Sequence, residues 1–258
     1  MQVNQLWHRL RAQALIASSV FLGLAWSAPL AASEPQQANC IDKLSYQLSY
    51  KGSKVGHVNR QQVWQDGMIK ASTSGKVSFL MFKFRGVHQA TVQWNQIQNR
   101  YLTRAYEQDV KGLSTTSIQT TFSANGLTSK LTLNGETTDY ADLEHPIVDF
   151  EAISLQMRHY VMAQNRDEFD FVLQKSDETS RYFFQAQGEE TIKVNGKEIK
   201  AIKISQVRKK DRKLHLWFAP ELNYQLVKGS YKRKIIDIEA ELTEHKLECQ
   251  SEEPKVES

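Results

Sequence analysis

The residue types that most often carry out chemistry are histidine, cysteine, serine and the carboxylates, and here they match no common catalytic or metal-binding motif. The sequence has no His-Glu-x-x-His zinc motif, EF-hand loop, P-loop or dinucleotide-binding glycine pattern. It also lacks the Gly-x-Ser-x-Gly nucleophile elbow. Seven histidines are present, and none beyond the first 33 residues stands at metal-ligand spacing from another. We therefore predict no catalytic residue, no metal site and no cofactor, and we expect that the chain is not an enzyme.

The individual residues that could act in catalysis each have a simpler structural interpretation. Glu189 and Glu190 are adjacent, so on a strand they point to opposite faces and do not form the carboxylate pair of a glycosidase. Glu221 is expected in a turn. His215 is predicted on the outer face of a strand beside Trp217, where a cross-strand contact is favoured over a role as metal ligand or base.

The chain has two cysteines, Cys40 and Cys249, which stand near its opposite ends. In an oxidising compartment, such an even pair predicts a disulfide bond. A bond between positions so far apart would restrict the unfolded chain, with an upper estimate of about 5 kcal/mol. A redox-active or nucleophilic thiol is the alternative, and it is less favoured because the chain has no Cys-x-x-Cys motif.

The first 33 residues have the pattern of a secretory signal peptide. Arg9 and Arg11 supply positive charge, and Ala14–Leu24 is a short apolar stretch followed by small residues. We predict cleavage after Ser33, with Ala32 as the alternative, and export to the periplasm. An uncleaved anchor is disfavoured because the apolar stretch is short, and no other run approaches the roughly 18 residues that a membrane-spanning helix needs. We therefore predict that the chain is not an integral membrane protein.

From residue 43 onward the dominant pattern is strand alternation, with one apolar and one polar face. Asn-Gly or Asp-Gly pairs separate several strand-like runs and predict tight hairpins. The pattern indicates about eleven to thirteen antiparallel strands. We predict a single β domain over residues 34–249, followed by a flexible polar tail over 250–258. The clearest alternating runs are Lys43–Tyr50, Glu168–Lys175, Lys213–Phe218 and Ile235–Leu242.

One segment departs from this alternation. Asp149 is placed to cap a helix that runs to about residue 165. Its apolar residues fall on one stripe, which must be buried. The predicted fold is therefore all-β with one central helix: a curved antiparallel sheet, half-barrel or open barrel, with the helix packed against its concave side. The stripe consists of Phe150, Ile153, Met157, Tyr160 and Val161.

A segment unusually rich in large apolar residues, Val77–Val87, has two interpretations. Clustered apolar residues most often form core, and we favour that interpretation. The alternative is the lip of a hydrophobic cavity. If such a cavity exists, its candidate lining residues are Phe79, Phe82, Phe84, Trp94, Phe150, Ile153, Met157 and Trp217.

A strongly basic segment, Arg208–Lys213, lies between two predicted strands. A solvated hairpin tip is the favoured interpretation, and attraction to an anionic surface such as lipid head groups is the alternative. The net charge of +4 is too small an excess to indicate nucleic acid as the partner. The candidate anionic-surface patch consists of Arg208, Lys209, Lys210, Arg212 and Lys213.

Three segments carry a resemblance to a known family. Leu44–Gly56, Gly188–Ile204 and Leu216–Val227 together resemble, in order and spacing, the exported bacterial domain of unknown function 3108 family. The resemblance implies a secreted or periplasmic all-β protein with no established catalytic activity. It also implies a curved sheet similar to the half-barrels of periplasmic lipoprotein and lipid carriers, an analogy of fold alone.

These observations favour a non-enzymatic periplasmic protein that binds a hydrophobic or amphipathic envelope ligand, with the helix over 149–165 as plug or lid. The expected partner is a lipid or other amphipathic small molecule. An interaction or scaffold protein that holds an envelope protein is one alternative. An envelope hydrolase with an unrecognised site is another.

Overall fold

The computed structural model describes residues 39–65, 67–79 and 82–249, and the side chains of Phe79 and Phe82 fall outside that description. The predicted signal peptide and the predicted tail over 250–258 also lie outside the described residues.

Within this part of the chain, fifteen strands form one sheet in the order β8-β7-β6-β5-β4-β3-β2-β1-β15-β14-β13-β12-β11-β10-β9. Neighbouring strands are antiparallel, except that β9 and β10 are parallel. The strands are β1 Cys40–Tyr50, β2 Ser53–Gln65, β3 Met68–Phe79, β4 Phe82–Asn95, β5 Arg100–Lys111, β6 Thr115–Phe122, β7 Thr128–Leu133, β8 Glu136–Ala141, β9 Ile147–Val148, β10 Glu168–Gln174, β11 Thr179–Val194, β12 Lys197–Val207, β13 Lys213–Ala219, β14 Gln225–Arg233 and β15 Ile236–Cys249.

The sheet curls into a nearly closed barrel, and its two edge regions meet through hydrogen bonds outside the strand ladder. Ser129 Oγ of β7 donates to Gln174 Oε1 of β10 at 2.6 Å, and both side chains are buried. The Ile147 amide donates to the Gly126 carbonyl at 2.8 Å. The predicted all-β barrel with one helix is therefore confirmed. The fifteen strands exceed the predicted number because β9 has two residues and β8 is an exposed edge, so neither shows alternation.

Two predicted hairpin turns are present. Asn134-Gly135 joins β7 to β8, and Asn195-Gly196 joins β11 to β12. All four residues have positive φ, between 49° and 96°. This is the backbone that a two-residue turn requires between right-handed twisted strands, and asparagine and glycine adopt it at low cost.

The helix α1 runs from Phe150 to Met162 and lies inside the curved sheet. Asp149 is its N-cap, as predicted, because its side chain accepts a hydrogen bond from the Ala152 amide at 3.0 Å. The helix ends before residue 165, and Gln164 adopts a φ of 54°. Phe150 was predicted in the buried stripe, which is wrong: it is 64% exposed because it belongs to the first turn, at the end of the packed interior.

The main core lies between α1 and the inner face of the sheet. It joins Ile153, Met157 and Val161 of the helix to aromatic residues such as Phe169 and Phe218 of the wall. A second cluster contains Leu44, Tyr46, Val194, Ala201, Trp217, Ala219, Val227 and Leu242. The helix is therefore packed as a structural element and has apolar contacts on several sides.

The predicted disulfide is present between Cys40 and Cys249. The two cysteines are direct partners in the ladder between β1 and β15. With a sequence separation of 209 residues, the bond closes nearly the whole described chain at the seam where its two ends pair.

Candidate functional site

Contacts with the helix identify which residues face the interior. Arg60 Nε of β2 donates to Glu151 Oε2 at 2.8 Å, and Thr73 Oγ1 of β3 donates to Glu151 Oε1 at 2.9 Å. His88 Nε2 of β4 lies 3.0 Å from Asp149 Oδ2. Because side chains alternate along a strand, the residues two and four positions away from these also face inward.

The turns β1–β2, β3–β4, β5–β6, β7–β8, β10–β11, β12–β13 and β14–β15 lie at one end of the barrel, since antiparallel neighbours place alternate turns together. We call this end the basic end, for reasons given below. Between the level of His88 and these turns, most inward-facing positions are apolar or glycine, although Thr116, the partner of Val110, and Ser53, the partner of Tyr50, are polar. We call the apolar positions the apolar wall: Leu48, Val58, Val77, Phe84, Val110, Tyr231, Ile238 and Ala240.

The apolar wall is only partly covered. Phe84 and Ile238 are each 39% exposed, and the other wall residues are half-buried. Gly75 and Gly86 are direct partners on the same inward face, so this part of the wall carries no side chain. The barrel interior therefore opens at the basic end into an apolar surface without a complete protein cover.

The floor of this opening is the N-terminal turn of α1, which charged and polar contacts hold to the wall. Asp149 is almost fully buried, and it accepts a hydrogen bond from Thr103 Oγ1 at 2.7 Å in addition to its contact with His88. Burial alone would lower the pKa of His88, but the hydrogen bond and charge of Asp149 outweigh burial and raise it. His88 is thus favoured in its charged form, as an ion-pair partner of the helix cap.

A second buried pair joins Arg60 to Glu151. Burial disfavours the charged guanidinium, but the adjacent Glu151 carboxylate more than compensates, and the pKa of Arg60 is raised. Arg60 Nη1 also donates to Ser154 Oγ at 3.1 Å. Both acidic residues at the start of the helix are thereby neutralised by the wall, which fixes the helix in place.

Beside the helix there is little free space. One small cavity lies against Tyr101, Gln156 and Phe171, and another lies against Ser154 and Phe218; each has a volume of about 10 Å³. Such a volume is roughly that of one water molecule. A ligand of lipid size therefore does not fit at these two places while the helix is seated.

Basic residues line the part of the open end that is formed by β1–β5 and β12–β15. Lys76, Arg85 and Lys111 are direct neighbours across β3, β4 and β5, and they lie on the outer face because Val77, Phe84 and Val110 face inward. Like charges directly opposite each other destabilise a sheet. In the described part of the chain, ten basic side chains at this end have no carboxylate oxygen within 4 Å. They form the basic rim: Lys51, Lys54, Lys76, Lys83, Arg85, Lys111, Lys209, Lys210, Lys213 and Lys234.

The carboxylates on the neighbouring turns are already engaged by other cations. Asp211 is hydrogen-bonded by Arg212, which holds the pKa of Asp211 at about 2, and it is also 3.1 Å from Arg233 Nε. Lys232 pairs with Asp237 at 3.1 Å. The basic rim therefore carries an excess of positive charge that these acids do not cancel.

The structure does not bring the eight candidate cavity residues together. Phe84 and Phe150 lie exposed at the open end. Ile153 and Met157 are buried in the main core, and Trp94 packs against it. The interpretation of Val77–Val87 as core is wrong for Phe84, because the hairpin extends beyond the level that the helix fills.

Trp217, another candidate cavity residue, lies on a different face. It belongs to the second cluster, and its Nε1 donates to Glu190 at 2.5 Å. His215 is beside it, as predicted, and contacts Ser205 Oγ at 2.8 Å. Phe79 and Phe82 form the ends of β3 and β4, and their side chains lie outside the description.

The candidate basic patch lies at the same end as the apolar wall. Lys209, Lys210 and Lys213 belong to the basic rim, whereas Arg208 and Arg212 are engaged with Glu168 and Asp211. Sequence reasoning did not connect Lys51, Lys54, Lys76, Lys83, Arg85 and Lys111 with this patch, because they lie on strands and turns far from it in the sequence. Only the register places them side by side.

The described residues contain no group of three or more His, Cys, Asp or Glu side chains that could hold a metal ion. Among the same residues, no helix is long and apolar enough to span a membrane.

Comparison with known proteins gives a family. The family described as "Protein of unknown function (DUF3108)" matches residues 45–243. The chain belongs to the DUF3108 family. No curated protein matches this DUF3108 chain.

Among solved structures, the DUF3108 chain is similar to a beta-barrel-like protein of domain of unknown function DUF1849 from Brucella abortus. The TM-score is 0.51 and the sequence identity is 8%, and the similarity covers 83% of this chain and 98% of the other. At this identity the comparison supports the fold alone.

Proposed function

We propose that this DUF3108 protein is an exported, non-enzymatic binding protein for an amphipathic molecule with an acyl chain and an anionic head group. The acyl chain would lie against the apolar wall, and the head group would meet lysines of the basic rim. One observation carries this proposal: a partly covered apolar surface inside the barrel opens next to cations that have no carboxylate partner among the described residues.

Burial of the acyl chain against the apolar wall would contribute favourable free energy to binding. Each methylene group that leaves water contributes about 0.8 kcal/mol, so a chain of several carbons gains enough to offset part of its lost freedom. Lys51 and Lys209 stand on turns at the opening and Lys83 stands near the start of β4, where a head group can remain solvated while it contacts them. The helix is the floor of this site, held by Asp149 and Glu151, and acts as a plug.

Export and the absence of catalysis belong to the same proposal. The Cys40–Cys249 bond favours an oxidising compartment, in keeping with the predicted signal peptide. The buried His88–Asp149 pair is the nearest acid–base pair to the opening, but its contacts are with Thr103 and the helix N-terminus. Those contacts describe a helix cap.

The test is equilibrium binding of a fluorescent long-chain fatty acid to the purified mature chain. Replacement of Phe84 by serine removes the most prominent aromatic ring of the wall, and we expect affinity to fall about tenfold because several apolar contacts are lost. Ile97→Ser is the matched control, since Ile97 is 97% exposed at the opposite end. A neutral long-chain alcohol should bind more weakly than the acid.

Equal loss in Phe84→Ser and Ile97→Ser, or no binding of the fatty acid by the unaltered chain, would overturn the proposal. If the chain does not bind the fatty acid but specifically retains an envelope protein, the scaffold alternative is favoured.

A further inference from the structure

Exposed aliphatic side chains protrude from two turns of the basic end. Leu113, in the turn between β5 and β6, is 79% exposed, and Ile235, between β14 and β15, is 77% exposed. Each has a rim lysine close by in the chain: Lys111, which ends β5, is two positions before Leu113, and Lys234 directly precedes Ile235. Leaving such side chains in water forgoes about 1.5 to 3 kcal/mol of burial each, so their position at the tips suggests a partner.

The distribution of exposed apolar residues is strongly biased to this end. Of the ten large hydrophobic residues that are exposed in the described chain, seven lie here. Three lie elsewhere: Ile97, Leu143 and Leu247. The seven are Phe84, Val87, Leu113, Phe150, Ile235, Ile236 and Ile238.

We propose that the basic end docks onto the surface of an anionic phospholipid membrane, with Leu113 and Ile235 inserted among the head groups. The row Lys76–Arg85–Lys111 on the outer face, together with the lysines of the turns, would contact lipid phosphates. Cations beside an inserted aliphatic side chain are the combination that holds interfacial segments on anionic bilayers.

A membrane explains this pattern better than an acidic protein partner does. The core of a protein interface is a contiguous packed patch with few charges. Here the protruding aliphatic residues stand on separate turns, and each has a lysine within two positions in the chain. A fluid surface can accept each tip separately, and its phosphates can neutralise the opposed cations of Arg85 and Lys111.

Membrane docking goes beyond the proposed ligand site: it shares lysines of the basic rim but adds the two protruding tips. Leu113 and Ile235 are at the tips, whereas Phe84 is on the inward wall. Docking in this orientation turns the open end of the barrel toward the bilayer. An acyl chain could then enter or leave without crossing bulk water.

The experiment is flotation of the disulfide-bonded mature chain with vesicles. Vesicles of phosphatidylglycerol and phosphatidylcholine are compared with vesicles of phosphatidylcholine alone. We expect binding to the anionic vesicles, and we expect it to weaken when ionic strength rises from about 0.01 M to about 0.15 M, since the Debye length falls from about 30 Å to about 8 Å. Equal binding to both vesicle types would overturn the proposal.

Two pairs of variants separate the apolar and electrostatic contributions. The double change Leu113→Ser and Ile235→Ser should lower the partition coefficient about tenfold, because two inserted side chains are lost. The matched control is the double change Ile97→Ser and Leu143→Ser, which should have no effect. The double change Arg85→Gln and Lys111→Gln should lower the partition coefficient about 25-fold, which is about fivefold for each cation removed. Its control is Lys193→Gln with Lys197→Gln, at the opposite end.

Misfolding is separated from loss of docking by thermal unfolding of the same variants. Removing the opposed charges of Arg85 and Lys111 should leave stability unchanged or higher, since it relieves repulsion. Unchanged vesicle binding in the tip variant or in the charge variant, or equal loss in the controls, contradicts membrane docking. The Leu113→Ser and Ile235→Ser protein should still bind the fatty acid. Loss of vesicle binding with fatty-acid binding retained shows that the tips act in docking and not in the ligand site.

Discussion

At the scale of single residues, the most informative feature is the way that buried charges are paired around the start of the helix. Asp149 and Glu151 are both nearly fully buried, and they meet His88 and Arg60 from the wall. Breaking a buried pair leaves an uncompensated charge, which costs far more than the pair contributes. The pairs therefore specify one position of the helix within the barrel.

This arrangement predicts a pH-dependent contribution of His88 to stability. The pKa of His88 is raised in the folded chain above its ordinary value of 6.5. Its stabilisation is therefore fully present below pH 6.5 and is lost as the pH rises through the raised folded pKa. We expect His88→Gln to lower the free energy of unfolding by about 2 kcal/mol at low pH, and by less at high pH.

Urea denaturation of both proteins below pH 6 and near pH 9 measures this difference, with the exposed His57→Gln as control. A difference between wild type and His88→Gln that is constant across this range would show that the ion pair with Asp149 does not act as described.

Residue types alone were sufficient to predict some of these features. Asp149 was recognisable as a cap because a short acidic residue precedes a stripe of helical period. The disulfide followed from two cysteines in a chain with a predicted export signal. The partners of Asp149 and Glu151 were not predictable, because His88 and Arg60 come from strands far away in the sequence and only the register brings them to the helix.

At the scale of elements, the shape of the wall depends on close approach between strands. A Cβ atom on Gly56 would lie 2.1 Å from the backbone carbonyl oxygen of Lys76 in β3. At Gly86 of β4, the nearest atom would be 3.8 Å away. Glycine is therefore required at the first position by backbone packing, and is tolerated at the second.

We expect Gly56→Ala to destabilise the fold by about 2 kcal/mol or more, because two strands must separate. Gly86→Ala should be neutral or stabilising by up to about 1 kcal/mol, since alanine restricts the unfolded chain and its Cβ meets only ordinary van der Waals contacts. Thermal unfolding of the two variants checks the contrast. Equal stability of the two would contradict the close approach of β2 and β3.

Alternation identified the strands but could not show how they combine. Lys76, Arg85 and Lys111 each occupy a polar position of an alternating strand, as any solvated residue would. Their significance arises only from the ladders that place them side by side. Phe84 was taken as core for the same reason: the sequence shows its apolar neighbours but not that the helix fills the barrel only to the level of His88.

At the scale of the whole molecule, the barrel interior has two parts. One part is packed, with α1 and the aromatic residues of β10, β11 and β13. The other opens at the basic end, where the apolar wall is half-covered and the rim is cationic. The similarity to the Brucella abortus barrel is at 8% identity, so the wall and the rim have to be tested on this chain.

The central claim is that an acyl chain occupies the open part of the barrel against the apolar wall. Photocrosslinking with a fatty acid that carries a photoreactive group along its chain tests this most directly, with the modified peptides identified by mass spectrometry. We predict labelling in β3, β4 and β15, which carry Val77, Phe84 and Ile238, and its loss in competition with unlabelled fatty acid. Labelling confined to β7 and β8 would contradict the account. So would labelling confined to the turns of Leu113 and Ile235 that persists in the presence of unlabelled fatty acid.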